Sequence, residues 1–107
     1  MKQYFIWQIS KTRVTPDELR NRFFDIGAEM AKELLNRDAY VRVSEIFAER
    51  FSDAFTVGNL FPEGQIVWTH NMHSVSVGDL IEDGETGEIR VVMPIGFESL
   101  GIPPAFA

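Results

Sequence analysis

Cysteine is absent from the 107 residues of this chain. Its absence excludes disulfide bonds, thiolate metal sites and cysteine nucleophiles together, and it is compatible with a reducing compartment. No secretory signal peptide is recognisable, because no small-residue cleavage site follows the short apolar run at 4–9. No apolar run approaches the length of a membrane span either, so we expect a soluble cytoplasmic protein with no membrane contact.

Basic residues are scarce in the second part of the chain. Residues 1–43 carry eight bases and six acids, a net charge of +2, whereas residues 44–107 carry two bases and ten acids, a net charge of −8. Nucleic acids are bound by clustered lysine and arginine side chains, so we expect no nucleic-acid partner. An acidic surface suits a basic protein partner, or simply solubility.

Apolar and aromatic side chains are plentiful. Hydrophobic residues make up 45% of the chain, with nine phenylalanines and two tryptophans, which is enough for a packed core. The length is typical of one domain, so we expect a single domain over residues 1–107. The prolines at 103 and 104 predict an irregular tail over 101–107.

A long first helix is predicted over residues 16–35. Thr15 can cap it, Pro16 suits its first position, and acidic residues follow in the first turn. Apolar residues then recur at helical spacing, at Leu19, Phe23, Ile26, Met30 and Leu34.

The remaining elements complete an α+β pattern. We predict strands at 4–9, 39–43, 66–69, 80–82 and 88–93, a hairpin loop at 83–87, and a last short element at 96–100. Ser44 is a candidate N-cap for a second helix carrying Ile46, Phe47, Phe51, Ala54 and Phe55. Gly78 is predicted to lie in a turn that opens the strand at 80–82. The expected fold is a small antiparallel sheet with two helices packed on one face.

Four segments follow one another in the second half of the chain. They read IFAERF at 46–51, PEG at 62–64, HSVSVGDLI at 73–81 and IGFESL at 95–100. Over residues 46–100 this series resembles the YodL-like small proteins of plasmids, phages and integrative elements. The resemblance implies an origin in a mobile genetic element and a shared β-hairpin module, with no reaction and no catalytic residues.

Two histidines and two serines are the candidates for chemistry. His70 and His73 stand three apart in a segment expected to be strand or loop, where side chains three apart point in opposite directions, so no metal site is predicted. Ser74, Ser76 and Asp79 could form a nucleophile set with His73, but the Gly-x-Ser-x-Gly turn is missing. We expect these groups to bind turn backbone, and we predict no catalytic residue and no cofactor.

Five acidic residues fall within ten positions with no base between them. They are Asp79, Glu82, Asp83, Glu85 and Glu88. We predict them as partner-binding residues that offer negative charge to a basic groove. The alternative is a solvated hairpin edge that resists aggregation.

The function that these observations favour is a non-enzymatic protein-binding module from a phage or other mobile element. Its concrete form would be an inhibitor of a host defence system, of the anti-CRISPR or anti-restriction type, that binds a host protein with a basic nucleic-acid channel. One alternative is a small-barrel nucleic-acid-binding module similar to the PUA and ASCH domains. Two further alternatives are a protein with a purely structural or interaction role and a small enzyme of unrecognised type.

Overall fold

The described residues form six strands and three helices. The structure, a computed structural model, describes residues 1–21 and 27–103. Its elements are β1 (Lys2–Ile9), α1 (Pro16–Asn21), α2 (Ala28–Asn36), β2 (Tyr40–Ala48), α3 (Phe51–Leu60), β3 (Ile66–Trp68), β4 (Leu80–Asp83), β5 (Ile89–Val92) and β6 (Phe97–Gly101). The strands form one antiparallel sheet, which confirms the predicted α+β class with a larger sheet than expected.

The sheet has the order β3-β2-β1-β4-β5-β6, and β1 lies near its centre. The strand predicted at 4–9 corresponds to β1, which pairs on both sides, with β2 and with β4. Strands β3 and β6 are the edges, and within the described ranges they do not pair with each other. The sheet is therefore open, whereas the small-barrel alternative needs a closed one.

Two hydrophobic cores lie on opposite faces of the sheet. Adjacent residues in β4 show this, because neighbouring side chains of a strand point to opposite faces. Ile81 belongs to the cluster that contains Ala54 of α3, whereas Leu80 belongs to the cluster that contains Leu34 of α2. Helices α2 and α3 thus cover different faces rather than the single face expected, and β4 is buried on both.

The prediction of one continuous helix over 16–35 is wrong. Gly27 is extended, with φ −156° and ψ −179°, and α2 begins only after it. Glycine is a poor helix former, so an interruption there costs little helix propensity. Of the predicted apolar positions, Leu19, Met30 and Leu34 do pack in the core on the α2 side. Phe23, Ile26 and the last tail residues, 104–107, lie outside the described residues.

The predicted start of the first helix is confirmed. The Thr15 hydroxyl accepts a hydrogen bond from the Glu18 N–H at 3.2 Å, and the Glu18 carboxylate accepts one from the Thr15 N–H at 2.9 Å. This reciprocal pair satisfies two helix N-terminal donors. Arg37, just after α2, contacts Glu18 at 2.8 Å. The hydrogen bond from Arg37 lowers the pKa of Glu18 to about 2, so the carboxylate stays charged over the physiological range.

The prediction that Ser44 caps a second helix is also wrong. The predicted strand at 39–43 continues through Ser44 to Ala48, and α3 begins only at Phe51. Ser44, Ile46 and Ala48 alternate inward along β2, which matches the two-residue period of a strand. The strands predicted at 66–69, 80–82 and 88–93 and the element at 96–100 correspond to β3, β4, β5 and β6.

Gly78 lies in the turn that opens β4, as predicted, with φ at 92°. Its N–H donates to the Val92 carbonyl at 2.9 Å, and its own carbonyl accepts from the Tyr40 hydroxyl at 2.6 Å. Neighbouring strands therefore hold the turn in a backbone conformation that β-branched residues avoid.

We expect Gly78→Val to destabilise the protein by more than about 1 kcal/mol, because the side chain is strained at this positive φ. Urea titration followed by circular dichroism measures the change. Wild-type stability in the variant would show that the turn tolerates a side chain.

Candidate functional site

The acidic hairpin is less exposed than the sequence indicated. Asp79, Glu82 and Asp83 are 0%, 6% and 3% exposed, so they cannot form a contact surface for a partner. Glu85 is exposed, and Glu88 is partly buried. The prediction of partner binding therefore fails for the three buried carboxylates, and each of them has a structural role.

Asp83 organises the turn of the hairpin. Its carboxylate accepts a hydrogen bond from the Lys2 ammonium at 2.7 Å and from the N–H groups of Glu85 and Thr86 at 2.8 and 3.2 Å. Burial raises the pKa of the Asp83 carboxyl, but these hydrogen bonds outweigh burial, so the pKa lies below its ordinary value. Asp83 thus ties the hairpin to the first residues of β1.

Glu82 directly precedes Asp83 in β4, and its carboxylate accepts two hydrogen bonds. The Trp7 indole N–H and the Arg42 guanidinium both donate to its Oε1 atom at 2.9 Å. The guanidinium also lies over the Phe5 ring, 3.8 Å from its centre. This carboxylate is therefore part of a polar and aromatic cluster that links β1, β2 and β4.

Glu88 precedes β5 and is held by two side chains. It accepts hydrogen bonds from Arg90 at 3.1 Å and from the Ser99 hydroxyl at 2.8 Å. Arg90 and, to a smaller extent, Ser99 hold the pKa of Glu88 below its ordinary value. Of the five predicted contact residues, Glu85 is the most accessible.

Asp79 is buried beside Gln8, a residue that the sequence analysis did not identify. Gln8 donates to the Asp79 carboxylate at 3.1 Å and to the His73 carbonyl at 2.8 Å, and its amide oxygen accepts from the His73 N–H at 3.2 Å. The Ser76 N–H also donates to the Asp79 carboxylate, at 2.9 Å. The expectation that this carboxylate binds turn backbone is confirmed. The sequence feature that could have identified Gln8 is its position as a polar residue inside an apolar strand.

A groove lies beside this network, where the chain leaves β1 and enters β2. Its volume is about 880 Å³. Its lining consists of Gln8, Ile9, Ser10, Lys11, Leu19, Val41, Val43, His70, Asn71, Met72 and His73. We call it the histidine groove, because both histidines of the chain line it. Because residues 70–76 contain no strand, the strand alternation behind the expectation that the two side chains point apart does not apply here.

A second exposed feature lies at the β3 edge of the sheet. Leu60, Val67 and Trp68 are 73%, 51% and 52% exposed. Phe61, in a left-handed conformation at the end of α3, lies 5.8 Å from Trp68 between ring centres. We call these four residues the β3 surface. The sequence predicted strand β3 but not the exposure of its side chains, because that exposure depends on the position of β3 at the edge of the sheet.

No family model matches the chain, and no curated protein or solved structure matches it. The resemblance to the YodL-like proteins therefore stays a prediction. Among residues 1–21 and 27–103, no helix has the length and apolar character needed to cross a membrane, and no cluster of three or more histidine and carboxylate side chains could hold a metal.

The contact between Lys2 and Asp83 predicts an effect of pH on stability. Because the folded pKa of Asp83 lies below its ordinary value of 3.8, its contribution is present above that value and is lost as pH falls through the folded pKa. Lys2→Met removes the ammonium but leaves the Asp83 carboxyl buried. The pKa of Asp83 therefore rises, and acid unfolding begins at higher pH.

Urea midpoints measured between about pH 3 and pH 7 test this. Lys32→Met, at an exposed lysine of α2, is the control and should follow the wild type. Identical pH profiles for the two variants would contradict a stabilising role for the contact.

Proposed function

We propose that this protein is a non-enzymatic binding module that contacts a partner protein through the β3 surface. The observation that carries the proposal is the concentration of exposed apolar side chains at one sheet edge, with Trp68 half exposed. Exposed apolar side chains grouped together mark interaction sites more often than single ones do. Tryptophan is also among the residues that most often dominate the energy of protein interfaces.

The edge position of β3 adds a second reason. Strand β3 pairs with β2 on one side only, so its other side presents backbone groups to solvent in the described structure. An extended segment of a partner can pair with such an edge while its side chains contact Trp68 on one face of the sheet and Val67 on the other. With only three residues, β3 supports a short pairing, and the side chains would supply most of the affinity.

The buried carboxylates support a binding role over catalysis. Asp79, Glu82 and Asp83 are buried, and their hydrogen bonds hold strands and turns together. They stabilise the scaffold from which the β3 surface projects.

The charge near the β3 surface indicates the partner. Glu45 lies opposite Val67 in the sheet, and Glu63 is exposed in the loop before β3. We therefore propose a partner with an apolar pocket and a basic rim. A host defence protein with a basic nucleic-acid channel is our candidate, which rests on the −8 charge of residues 44–107 and on the resemblance to mobile-element proteins.

Affinity capture from a bacterial lysate, followed by mass spectrometry, tests the proposal. Trp68→Ala should weaken binding of the captured partner by about thirtyfold or more, because truncating a central aromatic residue costs about 2 kcal/mol or more. Surface plasmon resonance measures the loss, and circular dichroism checks that the variant is folded.

Ile95→Ala is the matched control, since Ile95 is 94% exposed in the turn between β5 and β6. It should bind as the wild type does. Equal binding by Trp68→Ala would exclude the β3 surface. If Glu85→Lys abolished binding instead, the exposed part of the acidic hairpin would be the contact.

A further inference from the structure

The histidine groove is a preformed feature rather than a gap beside a loose loop. The Val43 carbonyl of β2 accepts hydrogen bonds from the Thr69 and His70 N–H groups at 3.0 and 3.2 Å. At the other end of the same segment, the His73 N–H donates to Gln8 of β1. The wall at 69–73 is therefore attached to two adjacent strands, and a ligand would not have to order it on binding.

The floor and one wall of the groove are apolar. The apolar lining residues are Ile9, Leu19, Val41, Val43 and Met72. The volume of about 880 Å³ falls within the range of small-molecule sites, which combine apolar walls with a few polar groups. Met72 adds a flexible, polarisable side chain that adapts to ligand shape.

The polar lining of the groove is cationic or neutral. Lys11, His70 and His73 line it, and none of the lining residues within the described parts of the chain is an aspartate or a glutamate. This differs from the chain as a whole, which has 16 acids and ten bases. Lys11 is the one formally charged residue among the described lining residues, so the groove favours an anion by charge complementarity.

The orientation of His73 fits a ligand contact. Its Nδ1 atom lies 2.7 Å from the Ser74 carbonyl and 3.2 Å from the Gln8 amide nitrogen. Because the Ser74 carbonyl can only accept, Nδ1 is the donor of this contact, and Nε2 of the neutral ring is left as an acceptor for a ligand N–H or O–H group. Lys11 is exposed and has no ion pair with a described residue.

We propose that the histidine groove binds an amphipathic anion, with its apolar body along Val41 and Met72 and its anionic head at Lys11. The groove includes no residue of the β3 surface, so this site is separate from the proposed protein contact. Either proposal can fail while the other holds.

Decanoate, decanol and decyltrimethylammonium test the site on the whole protein, with nitrogen-labelled amide spectra as the readout. These probes share an apolar chain and differ in head-group charge. We expect decanoate to shift the amide resonances of Ile9, Lys11 and His73 and to bind about tenfold more tightly than decanol, with the cation weakest, since a charged hydrogen bond is worth about that factor.

Equal affinity for the three probes, or shifts confined to residues outside the groove, would overturn the proposal. So would inorganic phosphate binding as tightly as decanoate, because the apolar walls would then contribute nothing. Binding to phosphatidylglycerol vesicles without binding to monomeric decanoate would also overturn it, because the groove would then not enclose the ligand.

Charge reversal at the groove separates the head-group contact from the apolar one. Lys11→Glu should weaken decanoate binding about tenfold or more and leave decanol binding unchanged. Lys32→Glu, at an exposed lysine outside the groove, is the matched control and should leave both unchanged. Val41→Phe fills the groove and should reduce binding of both probes. Unchanged decanoate affinity in Lys11→Glu, with native amide spectra, would contradict the proposal.

Discussion

The hydrogen bond from the Gln8 amide to the buried Asp79 carboxylate holds the longest irregular stretch of the described chain in place. Residues 69–79 connect β3 to β4 and contain no strand or helix. Because Gln8 also binds the backbone of His73 on both its N–H and its carbonyl, one side chain replaces the pairing that a strand would supply. The histidine groove exists because this segment is held there.

A comparable arrangement stabilises the opposite end of the central strand. Lys2 of β1 and N–H groups of the hairpin turn donate to Asp83, as Gln8 and a turn N–H donate to Asp79. Buried polar groups cost free energy unless they are hydrogen-bonded. Most of the acidic residues in this region therefore stabilise the fold from inside, which is why we propose the exposed apolar side chains at β3 as the partner contact.

Local signals predicted the elements whose cause is local: the capping pair at Thr15, the apolar run of β1 and the turn at Gly78. The helix break at Gly27 and the continuation of β2 past Ser44 depend on tertiary pairing, which overrides helical spacing. The burial of the acidic side chains could not be predicted from residues that are close to them in the sequence. Lys2 and Asp83 are 81 positions apart, and Gln8 and Asp79 are 71 apart. The two edge positions of the sheet, and hence the β3 surface, follow only from the complete strand order.

Amide hydrogen exchange at His73 and Ser76 is the most direct test of this description, because both N–H groups donate to side chains of the Gln8 and Asp79 network. Both amides should exchange slowly, at rates similar to those of paired amides in β1, although the segment has no regular structure. The amide of the exposed neighbour Asn71 provides the reference for a fast-exchanging position. Exchange at His73 and Ser76 as fast as at Asn71 would contradict the central claim that this network holds the segment against the sheet.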